Sequence, residues 1–204
     1  MTNQGKEVRF TLAPERMPAI PEDQMSAAQK AAAAALLAGP RGHIGGPFSA
    51  LLRSPELMNR LQKVGEYLRF ICPIEKRLGE FAAIIAARHW SQQFEWWAHY
   101  RQVVEAGLKP EIADAVAEGR RPTGMAEDEE IVYDFLTEAL HTNGACDVTY
   151  ARTLAKFGEQ GIIDLLAVAG YYGTLALVMN VARTAVPEGP SLPLPALPLY
   201  ARPV

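Results

Sequence analysis

Apolar residues recur at three- and four-residue spacing through most of the chain. Leu57, Leu61, Val64 and Leu68 follow Ser54-Pro55-Glu56, a helix entry with proline at its first position, and predict a helix over 55–70. Cys72-Pro73 ends it. Leu78, Phe81, Ile84 and Ile85 predict the next helix, from Ile74 to about Trp90. Phe94, Trp97, Ala98, Val103 and Val104 carry the pattern from Gln92 to Ala106, where Gly107 is a natural stop. Shorter helices are expected at 48–52 and 110–118. Pro21-Glu22-Asp23 suits a helix start and predicts helix as far as Leu37. The acidic run Ala126–Glu130 reads as a first turn matched to the helix dipole, leading to Val132, Phe135, Leu136 and Leu140. Asp147 caps a helix to Gly158, and a very apolar helix follows from Ile162 to Ala185. No stretch alternates with period two, so the expectation is an all-α fold without strands.

Both ends differ from this pattern. Residues 1–20 are polar and punctuated by Pro14 and Pro18, and read as an N-terminal arm before a helical domain at 21–185. Residues 186–204 contain six prolines and read as an extended arm. Leu192, Leu194, Leu197, Leu199 and Tyr200 would be costly to leave in water, so that arm is expected to lie on its own domain or on a neighbouring subunit.

Composition narrows the function. The chain has 204 residues, 49% of them apolar, enough for a full core, and a net charge of −3. That balance argues against a nucleic-acid binder or an anionic-membrane binder. Cys72 and Cys146 lie too far apart in sequence for a Cys-x-x-Cys redox pair, and two cysteines make no disulfide framework or zinc cage. The apolar run from Leu165 to Met179 falls short of the ~20 residues that span a bilayer and reads as a buried helix. The first residues lead into no apolar signal core, so a cytoplasmic protein is expected.

One segment could carry chemistry. Glu95 and His99 are at i and i+4, on one helix face, where a carboxylate can orient an imidazole. Gln92 is one turn earlier. Glu80 interrupts an apolar run, where a carboxylate needs a partner. On one straight helix Glu80 and Glu95 would stand about 22 Å apart. They meet only if the chain turns back between His89 and Gln93. By spacing alone, a Glu–His pair is also the commonest kind of solvated surface pair, and the tryptophans Trp90, Trp96 and Trp97 suit a core as well as a ligand platform. Glu-x-x-x-His supplies too few ligands for zinc, and no metal site is expected.

The strings Arg77-Leu-Gly-Glu80, Ala86-Ala-Arg88-His-Trp, Phe94-Glu95-Trp96-Trp-Ala-His99 and Ala106-Gly-Leu-Lys-Pro-Glu-Ile112 together resemble the carboxymuconolactone decarboxylase / alkylhydroperoxidase-D-like family. The resemblance covers about residues 50–120, and more loosely 171–182. It implies an all-helical fold, assembly as trimers or hexamers, and a site near subunit contacts. The peroxidase branch of the family carries two cysteines at the positions matching Gln92 and Glu95. Both are absent here, which disfavours thiol peroxidase activity. The resemblance therefore implies the decarboxylase branch: a cofactor-free lyase or isomerase acting on a small carboxylated lactone or related acid, with a peroxidase using another thiol or a non-catalytic helical binding protein as the alternatives. In that reading His99 transfers the proton, oriented by Glu95, and Glu80 is a second carboxylate, base or orienter. Arg88 holds a substrate carboxylate, Gln92 donates to a lactone carbonyl, and Tyr171 reaches the same pocket from the apolar helix.

Overall fold

The computed structural model describes residues 14–187 and 194–195. Within them there are eight α-helices and no strand: α1 (Ala27–Leu37), α2 (Pro47–Leu51), α3 (Pro55–Phe70), α4 (Lys76–His89), α5 (Gln93–Glu105), α6 (Pro110–Ala117), α7 (Glu127–Thr142) and α8 (Asp147–Ala182). The all-α expectation holds, and most boundaries fall within two residues of those read from spacing. At the N-terminus of α1 the structure differs. Pro21-Glu22-Asp23 opens only a single 3-10 turn, Glu22–Gln24, and the α-helix begins again after Ser26. The reason is a capping box: the Gln29 backbone N–H donates to Ser26 Oγ at 3.2 Å, and the Ser26 N–H donates to the Gln29 side chain at 2.9 Å.

The fold is organised around α4. Its sequence is apolar on every side, and from Phe81 to Arg88 every residue is buried. Four of its alanines and both isoleucines let α5, α7 and α8 pack closely along it, with α6 and α3 at its ends. Phe81 is fully buried, which contributes roughly 1.5–3 kcal/mol relative to exposure. The acidic start of α7 has the dipole-matching role the sequence implies. It also binds Arg77, whose guanidinium donates to Asp128 at 2.7 Å and to Glu129 at 2.5 Å.

The two helices expected at 147–158 and 162–185 run on as α8, broken only at Gly158, whose φ of 67° and ψ of 179° are non-helical. The C-terminal part of α8 is apolar and long enough to cross a membrane, but 61% of that stretch is buried inside the fold. It packs on α2, α3, α4 and α7. Asp164 is buried with it, accepting from the Tyr67 hydroxyl of α3 at 3.0 Å.

Most of both predicted arms, residues 1–13, 188–193 and 196–204, lies outside the described residues. The described part of the N-terminal arm lies against the end of α8: the Arg16 N–H donates to the Ala182 carbonyl at 2.8 Å, and the Ala185 N–H to Glu15 at 2.7 Å. At the other end Leu194 is buried. Its N–H donates to Gln93 Oε1 at 2.9 Å, and its carbonyl accepts from Gln93 Nε2 at 3.2 Å.

Candidate active site

The turn that the site requires is present. Helix α4 ends at Trp90, and Ser91 takes the left-handed conformation at φ 51°. The Ser91 N–H donates to the Arg88 carbonyl at 3.0 Å and the Gln92 N–H to the Ala87 carbonyl at 2.8 Å, the paired bonds of a Schellman cap. A serine in this conformation costs about 1–2 kcal/mol more than a glycine would. Arg88 offsets part of that by donating to Ser91 Oγ at 2.7 Å. Gln92 then caps α5, its Oε1 accepting from the N–H groups of Phe94 at 2.5 Å and Glu95 at 3.0 Å.

The hairpin lays α5 antiparallel on α4 and brings Glu80 to His99. His99 Nδ1 and Glu80 Oε2 are 2.5 Å apart, and both side chains are 8% exposed. Burial pushes the Glu80 carboxyl up, but its bond to His99 and the charges of His99, Arg69 and Lys76 outweigh this and hold it below the usual carboxylate range. Glu80 is thus an ionised acceptor for the Nδ1 proton, and Nε2 makes no hydrogen bond among the described residues. The Tyr172 ring stands edge-on to the imidazole, centroids 4.7 Å apart, and fixes its plane.

Glu95 behaves differently. It is 3% exposed, and neither carboxyl oxygen has a hydrogen-bond partner among the described residues. Burial alone pushes its pKa well above the usual carboxylate value, which favours the neutral acid. The pairing expected from i, i+4 spacing is therefore corrected: Glu80, on the neighbouring helix, orients His99, and Glu95 does not. The charge-assisted bond across the hairpin wins because one imidazole N–H takes one carboxylate, and α4 delivers it in line.

Glu95 and His99 line one cavity of about 280 Å³. Its walls come from the loop before α2 (Arg41, His43, Gly45), α2 (Pro47, Phe48), α3 (Arg69), α5 (Phe94, Trp97, Ala98, Gln102) and α8 (Tyr172, Leu175). Glu80 stands behind His99, outside the lining. A larger, shallower groove of about 640 Å³ runs between α5 and α6 past Trp96 and Tyr100 and contains none of the three site groups.

The fold matches the crystal structure of a protein of unknown function from Agrobacterium tumefaciens, provisionally described as the antioxidant defence protein AhpD. The TM-score is 0.61, with 17% identity, over 68% of this chain and 96% of that one. This chain has the AhpD-like fold. No family model and no curated protein matches it.

On this AhpD-like fold, the sites where the resemblance places two thiols hold the capping Gln92 and the buried acid Glu95. Cys72 is half-buried on the far side of α3's end, its thiol donating to the Leu68 carbonyl and pushed up by burial, and Cys146 is exposed before α8. Neither lines the cavity.

Three expected substrate contacts are corrected. Arg88 is buried, donating to the carbonyls of Ala117 at 3.0 Å and Pro195 at 2.9 Å and to Ser91; it ties chain segments together and does not line the cavity. Gln92 is spent as the α5 cap, its amide donating to Asn180 at 3.2 Å. Tyr171 stands behind the wall, its hydroxyl accepting from Arg41 at 3.1 Å.

What the sequence reading missed is Arg41 and Arg69; Tyr172 was expected beside Tyr171 on the apolar helix, and of the two it is Tyr172 that lines the cavity. Arg41 comes from a glycine-rich loop and Arg69 from the last turn of α3, so no spacing connects them. Tyr172 carries a periodic signal, since it shares a face of α8 with Leu175 and Met179, but its pairing with His99 depends on the hairpin.

Proposed function

We propose that this chain is a cofactor-free proton-transfer enzyme, a lyase of the decarboxylase type or an isomerase, acting on a small carboxylated lactone or related acid of aromatic catabolism. The observation that carries this is the Glu80–His99 pair, with Nε2 free beside a buried cavity. A carboxylate-fixed imidazole is a base through Nε2 and an acid once protonated, and the adjacent charge stabilises the imidazolium. In the lyase direction the bond to the substrate carboxylate breaks and CO₂ leaves. The electron pair passes into the conjugated carbonyl as a dienolate, and protonated His99 delivers a solvent-derived proton to carbon. In the isomerase direction neutral His99 takes a carbon-bound proton and returns it at the other terminus. Either intermediate places negative charge on an oxygen, and the neutral Glu95 carboxyl is a donor suited to it.

The resemblance also supports a homo-oligomer, a trimer or hexamer. Ile163, Leu166, Leu177 and Val181 form an exposed apolar line along α8 that fits a subunit contact, which light scattering of the purified protein tests. The reading of the reaction is tested with a panel of unsaturated lactone acids. His99→Ala should abolish CO₂ release or isomerisation while the helical spectrum persists; an unchanged rate refutes it. Peroxide consumption lost in a Cys72→Ser/Cys146→Ser variant would favour the antioxidant role described for the Agrobacterium protein.

A further inference from the structure

We infer that Arg41 and Arg69 form an anion clamp that holds the carboxylate of a flat, single-ring acid against the aromatic wall of the cavity. The inference rests on the proposed reaction site and names the ligand class it takes. Both guanidinium groups line the cavity, and neither is ion-paired among the described residues. Each is anchored by one terminal nitrogen on a neutral partner: Arg41 on the Tyr171 hydroxyl at 3.1 Å, Arg69 on the Gln102 side-chain oxygen at 2.9 Å. Each also leaves its Nε–H buried without a partner. Both side chains are half-buried, and with no ion-pair partner among the described residues they present donors that an incoming anion would complete.

The acids within reach do not complete them. Glu80 is taken by His99, and neither carboxyl oxygen of Glu95 bonds to either guanidinium. Arg41 lies over the Phe48 ring at 4.8 Å, which helps hold the guanidinium in place beside the cavity that both residues line. Gly65 of α3 makes room for this arrangement. A Cβ there would stand 2.4 Å from Arg41 Nη2 and 2.2 Å from the Tyr171 hydroxyl, so the position tolerates only glycine while the pair is in place.

Shape selects the rest of the ligand. The cavity of 280 Å³ is the space of about nine waters, enough for one ring and its carboxylate. Phe48, Phe94, Trp97 and Tyr172 give it aromatic walls that suit a planar, unsaturated body. A planar carboxylate matches guanidinium N–H donors better than a tetrahedral phosphate does in so narrow a site.

The test is calorimetric titration with benzoate, benzamide and phenyl phosphate. Wild-type protein should bind benzoate about tenfold or more tightly than benzamide, and more tightly than phenyl phosphate. Arg41→Met and Arg69→Met should each remove most of that preference, and Arg69→Lys should keep part of it. Gly65→Ala should weaken benzoate and leave benzamide nearly unchanged. Equal binding of benzoate and benzamide by the wild-type protein, or binding of neither, overturns the clamp whatever the variants do. Tighter binding of phenyl phosphate overturns the carboxylate assignment. The binding assay needs no turnover, so the two readings fail separately. A benzoate preference that persists in His99→Ala, with no lactone turned over by the wild type, keeps the clamp and removes the reaction. Turnover that His99→Ala abolishes, without anion preference, does the reverse.

Discussion

Replacing Glu80 with glutamine removes one charge and keeps the side chain's shape. In the folded protein that carboxylate receives the His99 Nδ1 proton at 2.5 Å, with both partners only 8% exposed, so solvent screens the interaction little. A hydrogen bond to a charged group in such a place is worth about 1.5–3 kcal/mol. For a chain of 204 residues each kcal/mol moves the melting temperature by roughly 2–4 °C, so Glu80→Gln should lower it by several degrees. The loss has a pH signature. The folded Glu80 carboxyl is held below its ordinary value, so its contribution is fully present above pH ~4.3 and fades as pH falls through the folded value. The catalytic effect is distinct. A glutamine amide can donate to Nδ1, which moves the imidazole proton to Nε2 and removes the base from the cavity. Turnover should fall by about 10²–10⁴, the usual worth of a positioned acid–base group. Nitrogen NMR of His99 reads the tautomer directly, a readout that lost packing alone does not move. A variant that turns over within threefold of wild type, with Nδ1 still protonated, refutes the assignment of Glu80 as the positioning carboxylate.

Glu95→Gln should act with the opposite pH sign. Its folded carboxyl is raised, so Glu95 favours folding below pH ~4.3 and loses that contribution as pH rises. The glutamine variant should therefore be the more stable protein near pH 8, by about 1–3 kcal/mol, and show little difference near pH 4; equal shifts at both pH values in thermal melts count against a buried neutral acid. Arg88→Met should cost stability because the carbonyls of Ala117 and Pro195 lose a buried donor, about 1–3 kcal/mol for each group left unpaired. Its KM for a lactone acid should stay near the wild-type value, and a large rise in KM with unchanged melting would return Arg88 to the role of substrate anchor.

The helices were legible because their signals are local. Leu57, Leu61, Val64 and Leu68 fix α3 through spacing, and Gly107 stops α5 through backbone freedom. Even the reversal after Trp90 could be inferred, because Glu80 and His99 could meet in no other way. Its chemistry could not. The cap residue is Ser91, where a glycine would have announced the turn, and the α5 cap is Gln92, a longer side chain than the usual Asn, Asp or Ser. That is why Gln92 read as a ligand donor when it is a backbone acceptor. Arg88 misled for a related reason. A cation near acidic and aromatic residues suggests a substrate anchor, whereas its partners include the backbone carbonyls of Ala117 and Pro195, which carry no sequence signal. Arg41 and Arg69 were invisible because they converge only through the packing of α3 against α8.

Glu80 and Glu95 are two carboxylates of one site whose surroundings drive them apart. Both are buried, and burial alone would raise both. Only Glu80 meets a cation partner, because the Ser91 reversal lays His99 over it and directs Nδ1 at its oxygen. Glu95 is one turn before His99 on the same helix, and the arrangement that gives His99 to Glu80 leaves Glu95 with nothing. One structural event thus lowers one carboxyl and leaves the other raised within a single site, the kind of separation that acid–base chemistry uses. It also explains why thiols are dispensable to this reading. The position matched to the second thiol holds a carboxyl that burial shifts toward its protonated form, which can donate a hydrogen bond to a developing oxyanion but cannot attack a peroxide. Glu95→Cys should therefore fail to restore proton transfer even where it introduces peroxide reactivity.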